Sequence, residues 1–165
     1  MIFKLAIVER RDIMAKPELI ECMNRALALE LAGTIQYTQH SFLVTGIERE
    51  IYRKFFRDQA EEAHGHTYDL GDKIVSLGGV PTVEPAMILQ ATELTEMLKM
   101  DLALEREALA GYMAAWELCD DHKPTQFWLE ERIAEEQLHV EELEKLTNER
   151  MSRVNSERIT LRQVG

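Results

Sequence analysis

Proline and glycine are scarce in this chain, at 4 and 8 of 165 residues. Long stretches run without either, which argues against many short strands joined by turns and for long helices. Cysteine is rarer still. Cys22 and Cys119 form no metal-type CxxC pair, and reduced structural thiols are expected, as in a cytosol. Basic side chains are in deficit, with 19 Lys and Arg against 30 Asp and Glu and a formal charge of −11. Such a chain is a poor partner for a phosphate backbone or an anionic bilayer, so neither nucleic acid nor membrane is expected. No apolar run approaches transmembrane length, and the opening MIFKLAIVERR meets charge too soon for a signal peptide. A cytoplasmic protein that attracts cations is the expectation.

What the chain does have is apolar periodicity. Hydrophobic residues make up 45%, enough for a core in one domain of this length. Pro17 suits a first helical turn, and Leu19, Ile20, Met23, Leu27, Glu30, Thr34, Tyr37 and Ser41 follow at helical spacing until Gly46. A second helix is predicted from Glu48 to Leu77, stopped by Gly78-Gly79 with Pro81 beyond. Val80 to Gln90 holds two prolines and reads as a long connection. A third helix is predicted from Thr92 to Asp121 on Leu94, Leu98, Leu102, Glu105, Leu109, Tyr112 and Trp116. A fourth runs from Thr125 to Arg150 on Leu129, Ile133, Glu136, Val140, Leu143 and Thr147. Helices of about 30 residues span roughly 45 Å. The fold class is therefore all-α, a four-helix bundle over 17–150 with one long crossover between helices two and three. Residues 1–16 form an N-terminal arm, and 151–165 a tail or short fifth helix.

The two halves of the bundle echo each other. The tetrapeptide LALE occurs at Leu27–Glu30 and again at Leu102–Glu105, each time followed seven residues later by a tyrosine, Tyr37 and Tyr112. Helices two and four each carry a Glu/His cluster, EEAHGH and EEQLH. A lone carboxylate on a buried stripe is costly unless it is paired or bound to metal. Two facing glutamates repel, and a pair of divalent cations removes that conflict. Pairing with buried basic groups is the plainer alternative. A dinuclear carboxylate site needs a Glu from each of two helices and Glu-x-x-His from the other two. Glu30, Glu105 and the Glu136/His139 pair supply three of these contributions.

On the second helix two readings compete. Glu61 with His64 has the literal Glu-x-x-His spacing, but turns from His64 meet Arg57, Arg53, Gly71 and Asp72, a solvent face or subunit interface. Turns from His66 meet Gln59, Phe56 and Tyr52 one way and Leu70, Ile74 and Leu77 the other, the core stripe. Three residues before His66 stands Ala63, and Glu62, four before it, is the nearest carboxylate able to reach inward.

With these residues in view the chain resembles bacterioferritin-type members of the ferritin-like superfamily, over about residues 17–150. The resemblance rests on Glu30-Leu31 with Gln36-Tyr37, on Asp101-Leu102-Ala103-Leu104-Glu105, on Glu135-Glu136 with His139 and Leu143-Glu144, and on the run from His66 to Leu77-Gly78-Gly79-Val80-Pro81. It implies a di-iron centre whose metal ligands are Glu30, Glu62, His66, Glu105, Glu136 and His139, with Tyr37 beside the metals in a catalytic role. It implies a ferroxidase that uses oxygen or peroxide and stores ferric mineral in a homo-oligomeric cage of twelve or twenty-four subunits. Manganese or zinc are alternative metals. The family's haem sits at a twofold interface on a second-helix methionine; His64 occupies that position, so haem through His64 is an option of the resemblance. A smaller Dps-like cage fits as well. The main departure is Ala63, where the family's bridging glutamate belongs. It keeps two rivals open: a non-storage di-iron or di-manganese oxidase or catalase of the same superfamily, and a structural bundle with a degenerate site. His40 and His122 read as surface residues, and Met23, Met97 and Met113 as packing.

Overall fold

In a computed structural model the described residues are 16–119 and 122–148. They form four helices: α1 (Pro17–Leu43), α2 (Arg49–Ser76), α3 (Leu94–Glu117) and α4 (Lys123–Leu146), with no strand among them. Of the expected arm over 1–16 only Lys16, the residue before α1, is described, and the tail over 151–165 lies outside the described residues.

The helix ends follow from local chemistry. Pro17 sits in the first turn of α1, where its missing N–H leaves nothing unsatisfied. At the end of α2, Gly78 adopts φ 85°, and Gly79 N–H reaches back to the carbonyl of Ile74 at 2.9 Å, closing a Schellman-type cap. Gly79 has no room for more: a Cβ there would lie 2.6 Å from Ile20 Cγ2. α3 is shorter than the periodicity predicts. It begins at Leu94 rather than Thr92 because Glu93 is extended, and ends at Glu117 rather than Asp121. Leu118 and Cys119 donate to the carbonyls of Ala115 and Trp116, so the last turn tightens into three-residue steps. α4 starts two residues earlier than predicted because His122, not Thr125, is the cap: its side chain accepts the Thr125 N–H, with Pro124 in the first turn.

α1 packs along α2, α3 along α4, and α1 along α3, while α2 and α4 stay farther apart among the described residues. The crossover (77–93) lies over α1. Asn24 bonds Val80 and Thr82, Ala86 N–H donates to Ala28 O at 2.7 Å, and Leu89 N–H donates to Gln36 Oε1 at 2.9 Å. Two apolar clusters fill the bundle. One holds Leu19, Met23, Leu27, Leu70, Ile74, Tyr112 and Leu129; the other holds Tyr37, Phe56, Met97, Leu98, Leu102, Val140 and Leu143. Burying each large side chain contributes about 1.5–3 kcal/mol. Met23 and Met97 are packing residues of this core, whereas Met113 is half exposed. Cys22 and Cys119 are buried free thiols. No described helix is long and apolar enough to cross a membrane.

Candidate metal centre

Glu30, His66, Glu105 and Glu136 are all buried. α1 delivers Glu30 and α3 delivers Glu105, each from the middle of its apolar stripe. Each glutamate is held by the tyrosine of the other copy of the repeat. Tyr37 on α1 donates to Glu105 Oε1 at 2.5 Å, and Tyr112 on α3 donates to Glu30 Oε1 at 2.8 Å. Burial, and then the neighbouring carboxylates, push both phenols well above their ordinary 10, so both remain donors. The tyrosines also belong to different apolar clusters.

Two groups of potential ligands form around one shared residue. Glu30, His66 and Glu136 make one, and Glu105, Glu136 and His139 the other, with the donor atoms of each group within 4.8 Å of one another. His66 Nδ1 lies 3.1 Å from Glu136 Oε1 and 3.4 Å from Glu30 Oε1. His139 Nδ1 lies 3.7 Å from Glu105 Oε2 and 3.8 Å from Glu136 Oε2. Each oxygen of Glu136 thus faces a different histidine. Both are buried, and neither accepts a well-formed hydrogen bond. A buried carboxylate left this way is strongly destabilising unless a cation completes it. Three carboxylates and two imidazoles suit iron, manganese or zinc, so the residues present fit a metal pair.

Charge in the cluster points the same way. For His66 burial works against the charged ring, but the carboxylates of Glu136 and Glu30 prevail and hold it up at about 10. His139 is likewise raised to about 11 by Glu105 and Glu136 against its burial. Glu136 falls to about 2 despite burial, because both imidazoles face it, His139 more strongly. Burial raises Glu105 to about 7 and also raises Glu30. In the metal-free site the carboxylates that face the two rings thus favour the charged form of each imidazole.

The far sides of the histidines are also occupied. His139 Nε2 lies 3.2 Å from Glu62 Oε1, and His66 Nε2 lies 3.4 Å from Glu135 Oε2. Glu62 is thus outside both ligand groups: it faces the outer nitrogen of His139, with its side chain 44% exposed. Ala63 is buried beside Gly33, whose added Cβ would lie 3.6 Å from that of Ala63. His64 is exposed on the outer face of α2, its ring against Tyr68 at 4.8 Å, away from both groups.

Two features escaped the sequence reading. His40 is fully buried, not at the surface. Its Nδ1 lies 3.0 Å from Asp101 Oδ2, and Gln36 donates to Asp101 Oδ1 at 2.9 Å. Helical phase held the signal, since His40 follows Tyr37 by one turn on the buried stripe. The second is the Glu135–His66 contact and the Arg132 fork behind it, with NH2 3.0 Å from Glu135 Oε1 and NH1 3.0 Å from Oε2. His122, expected at the surface, is half-buried as the α4 cap.

Comparison with known proteins agrees with this geometry. The Ferritin family, described as a ferritin-like domain, matches residues 20–151. A bacterioferritin of Brucella melitensis is 32% identical over 154 residues, covering 86% of this chain and 94% of that protein. A nutrient stress-induced DNA-binding protein of Synechococcus is 33% identical over 103 residues, covering 56% of this chain and only 58% of its own length. Among solved structures, a ferritin-like, diiron-carboxylate protein from Bacillus anthracis superposes with a TM-score of 0.76 at 34% identity, covering 83% of this chain and 98% of that one.

Proposed function

Because the chain belongs to the ferritin-like family, we propose that it binds ferrous iron at the Glu136-centred site inside each bundle, oxidises it with oxygen or peroxide, and stores the ferric product in a homo-oligomeric cage. The observation that carries this is Glu136, a buried carboxylate whose two oxygens face two separate ligand groups without hydrogen bonds. Glu30 and His66 complete one group, and Glu105 and His139 the other. Bound iron supplies the redox chemistry. The chain's own residues do the rest. The carboxylates give hard oxygen donors that favour the ferric charge, and the histidines release their protons as the cation arrives. Tyr37 and Tyr112 hold the terminal carboxylates in place and close the site against the apolar clusters. Tyr37 in a redox role, and a haem on His64 at a subunit interface, belong to this proposal. A chain with a charge of −11 has little to offer DNA, whatever the name of two of its relatives.

Ala63 favours a second reading, a non-storage di-metal oxidase or catalase, since it leaves Glu136 as the single shared carboxylate. Aerobic addition of ferrous iron, followed by size separation and counting of the iron that co-elutes, separates the two. Uptake far beyond two per chain in a large particle supports storage. Saturation at two in a small oligomer supports the enzyme, and no uptake refutes both.

A further inference from the structure

A cavity of about 120 Å³ lies between the crossover, α1 and α3. Met87 and Leu89 line it from the crossover, and Met100, Ala103 and Leu104 from α3. The crossover is fixed at this place by two bonds to α1. Ala86 N–H donates to Ala28 O at 2.7 Å, and Leu89 N–H donates to Gln36 Oε1 at 2.9 Å.

Among the described residues two polar side chains line the cavity, and neither offers a free group inside it. Gln36 has both ends of its amide engaged, since Oε1 accepts from Leu89 and Nε2 donates to Asp101 Oδ1 at 2.9 Å. Glu107 is exposed to solvent. A held water needs about two to four polar partners, and sites for organic ligands run to about 300–1,000 Å³. A cavity of this size and lining instead suits a molecule of a few apolar atoms, which water expels into it.

Leu104 belongs to two neighbourhoods. It lines the cavity, and it also reaches α1 and α2 inside the bundle: a Cβ added to Gly33 would lie 3.4 Å from Leu104 Cδ2 and 3.6 Å from Ala63 Cβ. Each of these three residues adjoins a ligand on its own helix. Gly33 is one turn after Glu30, Ala63 is one turn before His66, and Leu104 directly precedes Glu105. Gly33 and Ala63 carry at most a methyl group, so Leu104 is the one large side chain where the three helices meet.

We propose that the cavity beneath the crossover is the entry site for dioxygen, the apolar one of the two oxidants, and that Leu104 is the gate between it and the metal centre. Hydrogen peroxide, with two O–H groups to satisfy, finds no free acceptor there short of Glu107 at the solvent side. The inference rests on the metal-centre reading above.

Xenon, an apolar probe without hydrogen-bonding groups, tests the site in crystals of the whole protein under pressure. A xenon peak should appear between Leu104 and the crossover in wild type. It should be lost in Ala103→Phe, which fills the cavity from an exposed position. Ferrous oxidation driven by dioxygen and by peroxide, measured in parallel, tests the route. The ratio of the dioxygen rate to the peroxide rate should fall several-fold in Ala103→Phe. It should also fall in Gly33→Ala, whose methyl group meets only ordinary contacts but narrows the passage beside Leu104. No xenon in the wild-type cavity, or an unchanged ratio in either variant, would overturn the proposal. So would a wild-type protein that oxidises iron with peroxide alone. A wild-type protein that oxidises iron with neither oxidant would refute the metal-centre reading itself, a separate failure.

Discussion

Tyr37 donates to Glu105 and not to Glu30, the glutamate seven residues before it on its own helix. Tyr112 returns the contact to Glu30. The repeated segment LALE-x6-Tyr therefore works only as a pair: each copy supplies a carboxylate that the other copy's phenol holds. This explains why the same carboxylate appears twice on a stripe meant for burial.

Removing either phenol oxygen should leave a buried carboxylate short of one donor. Tyr37→Phe and Tyr112→Phe are each expected to lower the stability of the metal-free protein by about 1–3 kcal/mol. Urea midpoints in the presence of a chelator check this. Equal losses for the two variants would reflect the pseudo-symmetry; no loss in either would contradict it.

Ala63→Glu would add a fourth inward carboxylate opposite Glu136. Without metal it should destabilise, because another buried negative charge joins Glu30, Glu105 and Glu136. With manganese or zinc it should stabilise more than wild type, by mass action through a tighter site. Melting temperatures with chelator and with metal should thus shift in opposite directions. A shift in the same direction under both conditions would mean that position 63 does not face the metals.

The charge state of the site sets the pH response of the metal-free protein. His66 and His139 are raised from 6.5 to about 10 and 11, so the stability they contribute is fully present below pH 6.5 and is lost as pH rises toward those values. Glu136 is lowered from 4.5 to about 2, so its contribution is present above pH 4.5 and is lost as pH falls toward 2. Glu105, raised to about 7, opposes stability as it ionises above 4.5. The metal-free protein should be most stable near pH 4.5 and weaken steadily on the alkaline side, first as Glu105 ionises and then as the histidines lose their protons. Denaturant midpoints from pH 5 to 9 check this, and His66→Gln with His139→Gln should flatten the alkaline slope.

Gln36 joins the crossover to the buried pair of Asp101 and His40 through Leu89. Gln36→Leu should free the crossover locally and increase proteolytic cleavage within residues 77–93. Metal stoichiometry should stay at the wild-type value. Limited proteolysis with mass spectrometry reads the first effect, and metal analysis the second.

Much of this was legible in the residues. Gly78-Gly79-Val80-Pro81 marked the end of α2 because a left-handed cap and a close approach leave little else possible. The doubled LALE located Glu30 and Glu105, and helical phase chose His66 over His64. Phase describes one helix at a time, however. It shows that Glu62 lies at the edge of its stripe but not that it reaches across to His139, since that depends on the spacing of α2 and α4. The same limit hid Glu135 against His66. His40 was missed for a different reason: its buried neighbour Asp101 is sixty-one residues away in sequence, and a histidine near a helix end reads as solvated until that partner is in place. The cap at His122 was hidden too, because a histidine ring is an uncommon substitute for Ser, Thr, Asp or Asn.

The most direct test is anomalous diffraction from crystals soaked in manganese(II). Two peaks per chain are predicted, one among Glu30, His66 and Glu136 and the other among Glu105, Glu136 and His139, with Glu136 touching both. A single peak away from Glu136, or none within the bundle, would contradict the account.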